Sequence, residues 1–150
     1  MKKKVFSIFL CMIMASLTLF GTFAASAAVT EKTGTFTLSK QDRTASNYKK
    51  DVSFSGAKAN IQAQHWKGAT FPTYSDTAYS KINSSSGLTD TEVKVSVYVN
   101  GGAYPHISGV DETYINVEPG YGKTVTRTLH TFILDKGSDT LKYTVNGTQP

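Results

Sequence analysis

The amino-acid sequence predicts an all-β fold, a single antiparallel β-sandwich that follows an N-terminal signal peptide. Apolar side chains recur at every second position in many segments, and no apolar period of about 3.6 residues lasts longer than a turn or two. Turn sequences that contain glycine separate these segments at short intervals. Short strands at such spacing are typical of a sandwich, and a small open β-barrel is the alternative.

The first residues have the features of a secretory signal. Lys2, Lys3 and Lys4 precede an apolar stretch over residues 5–20, and the small-residue triplet Ala25-Ser26-Ala27 follows. The stretch is shorter than the roughly 20 residues that a membrane-spanning helix needs. We therefore expect cleavage after Ala27, no stable membrane anchor, and release of one extracellular domain, residues 28–150.

The composition of the secreted part narrows its class. Loss of residues 1–27 removes the only cysteine, Cys11, and leaves 13 basic against 11 acidic residues. A disulfide-free domain of about 120 residues can be held together by its core alone. The missing cysteines and the lysine-rich start indicate a bacterial source, and the small net charge removes the main support for a nucleic-acid partner.

The first half of the secreted part contains three candidate strands. They are residues 34–39, 50–55 and 57–66. In the third, alanines, Ile61 and His65 share one face, while polar residues and Trp66 share the other. Residues 74–89 are rich in serine and show no alternation, so they are predicted to be the longest irregular segment and a candidate site by position.

The second half gives the clearest strands. In residues 91–99 four valines share one face, and residues 112–117, 123–134 and 140–145 also alternate. Residues 135–139 contain Gly137 and are predicted to be a five-residue hairpin loop. An exposed edge such as residues 34–39 could pair with a second copy, so we expect a monomer or a weak dimer.

The titratable residues predict neither a metal site nor a catalytic one. His65, His106 and His130 are far apart in sequence and have no cysteine beside them, so we interpret them as ordinary strand or loop residues, although His65 and His130 could meet across strands. No serine lies in a nucleophile motif, and the proximity of His106 to Asp111 and Glu112 is typical of a solvated loop. We expect no enzyme activity and no cofactor.

The aromatic residues carry the prediction of a site. Phe36, Phe54, Phe132 and Tyr143 fall on strands and are predicted to lie in the core. Others fall at strand ends or in loops among small polar residues, where flat amphipathic rings form platforms for sugars or partner proteins; the alternative is that they plug the ends of the sandwich. The predicted ligand-binding residues are Trp66, Phe71, Tyr74, Tyr79 and Tyr104.

Two functions remain open at this point. The first is a secreted, non-catalytic binding protein whose ligand is a cell-surface polysaccharide or another extracellular protein. The second is a secreted toxin or bacteriocin-like factor that acts on the envelopes of competing cells. Both fit a released domain without catalytic groups.

Overall fold

The computed structural model describes residues 27–69 and 75–150, which form ten β-strands and no helix. In the described part of the chain no helix is therefore long and apolar enough to span a membrane. The strands are β1 (Val29–Thr37), β2 (Thr44–Phe54), β3 (Ala57–Lys67), β4 (Asp76–Ser86), β5 (Asp90–Val99), β6 (Gly102–Ala103), β7 (Ile107–Gly109), β8 (Glu112–Val117), β9 (Val125–Lys136) and β10 (Asp139–Thr148).

The strands form two sheets that pack face to face. The larger sheet has the order β1-β10-β9-β5-β6, with β7 also paired to β5, and the smaller has the order β2-β3-β4-β8. The all-β prediction and the sandwich arrangement are confirmed. One pairing differs from the antiparallel prediction, because β1 runs parallel to β10. Two parallel neighbouring strands need a long connecting segment. Here the residues between β1 and β10 form that segment.

Alternation of side chains explains how each sheet faces the core. In β5 the four valines point inward and are buried, and β3 turns three alanines, Ile61 and His65 inward. The core predictions are confirmed, since Phe132 and Tyr143 are buried and Phe36 and Phe54 pack against the buried cluster. The opposite side of β3, which carries Trp66, therefore lies on the outside of the smaller sheet.

The hairpin between β9 and β10 is confirmed, but its turn is tighter than predicted. Only Gly137 and Ser138 separate the two strands. Gly137 has a φ of 63°, and this left-handed conformation lets two residues reverse the chain.

The prediction that residues 74–89 are irregular is wrong. Residues Asp76–Ser86 form β4, an inner strand bonded to β3 on one side and to β8 on the other. Ala78, Ser80 and Ile82 face the core, but two of these three side chains are too small or too polar to show as an apolar alternation. The pairing on both sides, rather than local propensity, makes this segment a strand.

Candidate functional site

Three aromatic rings lie on the outer face of the smaller sheet, on three adjacent strands. Trp66 on β3 is 42% exposed and Tyr114 on β8 is 59% exposed, with the half-buried Tyr79 on β4 between them. We call these three residues the aromatic platform. Both side chains point to the outer face of the sheet, with Tyr114 inside β8 and Trp66 one residue before the end of β3.

The strand register fixes the arrangement of the aromatic platform. Tyr79 pairs directly with Tyr114, whereas Trp66 pairs with Thr77, two residues before Tyr79. Neighbouring strands lie about 4.8 Å apart, and diagonal neighbours of this kind about 7–8 Å apart. Tyr79 and Tyr114 therefore lie side by side in one cross-strand row, and Trp66 lies diagonally from Tyr79. A shallow open groove of ≈ 290 Å³ lies beside them, lined by Gln64, Trp66, Thr77 and Tyr79.

Hydrogen bonds hold the side chains around the platform. The Tyr79 hydroxyl donates to Glu112 Oε2 over 2.8 Å, and Lys81 Nζ lies 3.0 Å from the same oxygen. Burial raises the pKa of Tyr79, and the hydrogen bond to Glu112 adds to this effect. The bonds from Tyr79 and Lys81 in turn lower the pKa of Glu112. Both shifts favour the neutral phenol and the ionised carboxylate, so this contact persists across neutral pH.

A ladder of amide side chains continues along the same face. Asn83 Nδ2 donates to Asn60 Oδ1 over 2.8 Å and to Gln62 Oε1 over 3.2 Å. Asn60 donates to Asp51, and Gln62 donates to Asn47, so the chain of bonds crosses three strands. The register between β3 and β4 shifts between Asn60 and Ile61, and this irregularity leaves Asn83 without a strand partner, on the face where the ladder forms. We call these five residues, four amides and the carboxylate of Asp51, the amide ladder.

A second open groove lies at the end of this face opposite the platform, and two residues of the amide ladder belong to its lining. Its volume is ≈ 500 Å³, and its lining consists of Asp51, Val52, Ser53, Lys58, Ala59, Asn60 and Ser84 to Ser86. We call it the serine groove. Both grooves thus lie along the same pair of strands, β3 and β4.

The structure places the predicted ligand-binding residues in different regions. Trp66 and Tyr79 come together on the outer face. Tyr104 follows β6 at the edge of the larger sheet, where its backbone N–H donates to the Val97 carbonyl. Phe71 and Tyr74 lie outside the described residues.

Tyr114 is the platform residue that the sequence analysis missed. The alternation of β8 contained the signal, because Thr113 and Ile115 are buried on one side and Tyr114 points to the other. Thr77 and Asn116, which lie beside the platform and are joined by a 2.7 Å hydrogen bond, were not predicted either.

A second group of polar side chains lies between the two sheets. His65 Nε2 is 3.4 Å from Asp76 Oδ2, although neither ring nitrogen of His65 makes a hydrogen bond within the described residues. His130 Nδ1 is 2.9 Å from Ser80 Oγ, and its Nε2 is 3.0 Å from Thr128 Oγ1. We call these five residues the polar core cluster. The two histidines thus lie in one cluster, each facing the core from its own sheet.

The hydrogen bonds define the tautomer of His130. Ser80 Oγ donates its only proton to the Lys94 carbonyl, so it accepts from His130 Nδ1–H. His130 Nε2 then accepts from the Thr128 hydroxyl. The pKa of His130 is lowered from 6.5 to about 3. Burial is the largest cause, and the charge of nearby His65 is the second. The ring is therefore neutral at physiological pH.

The polar core cluster has the residue types of a hydrolase but no access for a substrate. All five of its residues are buried, and the ring of His130 and the hydroxyl of Ser80 are fully enclosed. His106 is exposed, but Asp111 accepts a bond from Thr91 and Glu112 is held by Tyr79. Among residues 27–69 and 75–150, no group of three or more His, Cys, Asp and Glu is arranged to hold a metal ion.

The outer face of the smaller sheet is therefore the candidate functional site, since among the described residues it combines exposed rings with polar groups held in place by hydrogen bonds. No family model, curated protein or solved structure matches this chain.

Proposed function

We propose that the protein is a secreted, non-catalytic binding protein that holds an extracellular polysaccharide on the outer face of its smaller sheet. The observation that carries this proposal is the aromatic platform, in which Trp66, Tyr79 and Tyr114 lie together with polar side chains between them. The proposed location outside the cell follows from the signal-like first 27 residues.

The chemistry of the platform suits sugar rings. A sugar ring has a flat face of C–H groups that stacks on an aromatic ring, and hydroxyl groups at its rim that form hydrogen bonds. Trp66 supplies the exposed ring, and Gln64 and Thr77 beside it supply donors and acceptors.

The rigidity of the site supports the same conclusion. Trp66 and Tyr79 lie on neighbouring strands of a sheet, and Tyr79 is held by its bond to Glu112. A site on paired strands loses little conformational entropy when it binds, which favours affinity.

The outer face suits a polysaccharide better than a protein partner. The centre of a protein interface is usually apolar and depleted of polar groups. Here the amide ladder borders the three rings on one side, and the only aliphatic side chain beside Trp66 in its cross-strand row is Ala45. Such a surface offers many hydrogen bonds and little area for apolar packing.

Retention on insoluble ligands tests the proposal. Purified residues 28–150 are mixed with bacterial cell wall and with a panel of insoluble polysaccharides, and the bound fraction is measured. We expect retention on at least one of them and a loss of about tenfold or more in affinity for Trp66→Ala and for Tyr114→Ala, because about 1.4 kcal/mol of lost stacking corresponds to tenfold. Circular dichroism verifies that the variants fold.

Tyr121→Ala is the matched control. Tyr121 is 90% exposed and follows β8 in a turn, so its loss removes an exposed ring that is not part of the platform. Equal loss of retention for this control and for Trp66→Ala, or no retention on any polysaccharide, would contradict the proposal. Release of dye from anionic vesicles by the same protein would favour the toxin hypothesis instead.

A further inference from the structure

We infer that the ligand is an uncharged polysaccharide chain that lies along β3 and β4, stacked on the aromatic platform at one end and hydrogen-bonded in the serine groove at the other. This inference rests on the proposed function and adds the charge, the length and the direction of the ligand.

The separation of the two grooves indicates a chain. Trp66 lines the first groove and Asn60 lines the second, and both are on β3, six residues apart. At about 3.4 Å per residue this separation is roughly 20 Å. One sugar ring cannot contact both grooves, whereas an extended chain that follows the strand direction contacts both.

The surface between the grooves is suited to hydroxyl groups. It is formed by Gln64, by Lys81 in its ion pair with Glu112, and by the amide ladder, in which Gln62 and Asn83 are bonded to their neighbours. An amide side chain has two N–H donors and a carbonyl oxygen with two lone pairs, so it keeps free capacity after one bond is made. Sugar hydroxyls also donate and accept, and they match such groups better than carboxylates or ammonium groups do.

The charges on this face do not favour a strongly charged polymer. The two cross-strand rows at the platform contain no charged side chain. In the next row Lys81 is paired with Glu112 at 3.0 Å, and Lys49 adds one basic group. At the serine groove Asp51 and Lys58 have opposite charges. A polyanion needs several unpaired basic groups that act together. The two uncharged rows are Ala45, Trp66, Thr77 and Asn116, and Asn47, Gln64, Tyr79 and Tyr114.

The outer face of the larger sheet has a different character. Its outward aromatic ring on the strands β1, β5, β9 and β10 is Tyr98, and the guanidinium of Arg127 lies 5.0 Å from the centre of that ring. Ion pairs between Lys142 and Glu31 and between Lys94 and Glu92 lie elsewhere on that sheet. Because a cation covers this ring, the ring offers no free face to a sugar. The polysaccharide therefore lies on the smaller sheet.

Calorimetric titration with a length series tests this inference. The probes are neutral oligosaccharides of increasing length from the glucan, mannan and xylan families, and the anionic polymers alginate and hyaluronan at the same mass concentration. We expect affinity to rise with length until the oligosaccharide spans both grooves, little change with added salt, and no binding of the anionic polymers.

Two variants separate the contributions of the two grooves. Ser84→Ala combined with Ser86→Ala should weaken the longest oligosaccharide about three- to tenfold and leave a disaccharide unaffected, because the lost hydrogen bonds are made only by a spanning chain. Trp66→Ala should weaken both lengths. Ser108→Ala, at an exposed serine of β7 in the larger sheet, is the control and should change neither.

The outcomes distinguish this inference from the proposed function. Trp66-dependent binding of an anionic polymer alone, or equal affinity for short and long neutral oligosaccharides, would overturn the inference and leave the proposed function intact. Absence of any Trp66-dependent binding to glycans would overturn both.

Discussion

The ring of His130 lies in the centre of the sandwich, bonded through its two nitrogens to Ser80 and Thr128. Its pKa of about 3 in the folded protein is well below the 6.5 of an exposed histidine. The unfolded chain therefore takes up a proton at a pH where the folded chain does not. The contribution of this residue to stability is present above about pH 6.5 and is lost as the pH falls from there toward 3.

We expect the free energy of unfolding to decrease by about 1.4 kcal/mol per pH unit from His130 alone over this window. Urea unfolding at several pH values measures the slope. His65 and Asp76 are ionisable residues of the same cluster, so the difference between the native protein and His130→Gln isolates the effect of His130. The variant should lose that part of the slope.

His106→Gln is the matched control for this measurement. His106 is exposed in the segment between β6 and β7, so its replacement should leave the slope unchanged. Equal slopes for His130→Gln and the native protein would contradict a buried neutral ring.

At the scale of the element, the orientation of β3 decides whether the platform exists. Ala63 faces the core and is fully buried, and Gln64 next to it faces outward into the platform groove. Small inward side chains leave room for the larger sheet, as the alternation of this strand indicated.

We expect Ala63→Leu to lower the free energy of unfolding by about 1–3 kcal/mol, because the added carbons enter a filled core. Gln64→Leu should change it by no more than about 0.5 kcal/mol, since a surface substitution has little effect on packing. Thermal or urea unfolding measures both. A larger cost for Gln64→Leu than for Ala63→Leu would show that β3 faces the other way.

The elements differ in how well they could be predicted from sequence. β5 and β8 were predicted nearly to the residue, since their inward side chains are large enough to show a period of two. β4 was missed because its inward face carries the polar Asp76 and Ser80 and the small Ala78, which show no apolar period. The early part of β2, with Tyr48, was also missed. This strand lies at the edge of its sheet and pairs with β3 alone. Its many exposed residues obscure the alternation of apolar and polar side chains.

At the scale of the whole molecule, the proposed cleavage site adjoins the fold. The carbonyl of Ala28, the first residue after the proposed cut, accepts a hydrogen bond from Thr140 N over 2.9 Å. β1 begins at the next residue and pairs with β10. A cut after Ala27 would therefore keep every residue of β1. It would also keep the hydrogen bond between Thr140 N and the Ala28 carbonyl.

We expect the protein recovered from the medium of an expressing bacterium to begin at Ala28, because the small residues before it fit signal peptidase. Intact-mass spectrometry measures this directly. Replacement of Ala27 by a bulky residue should block processing and serves as the control. Retention of residues 1–27 in the exported protein, or a cut within β1, would contradict the proposal.

The alternation of side chains is a local signal, and it was sufficient to predict a β fold, most of its strands and the outward position of Trp66. Which strands become neighbours depends on burial shared between distant segments. Only the tertiary structure therefore brought β1 beside β10 and made a strand of residues 76–86. It also placed Tyr79 and Tyr114 beside Trp66, because hydrogen bonding between β3, β4 and β8 joins positions that have no periodic relation in the sequence.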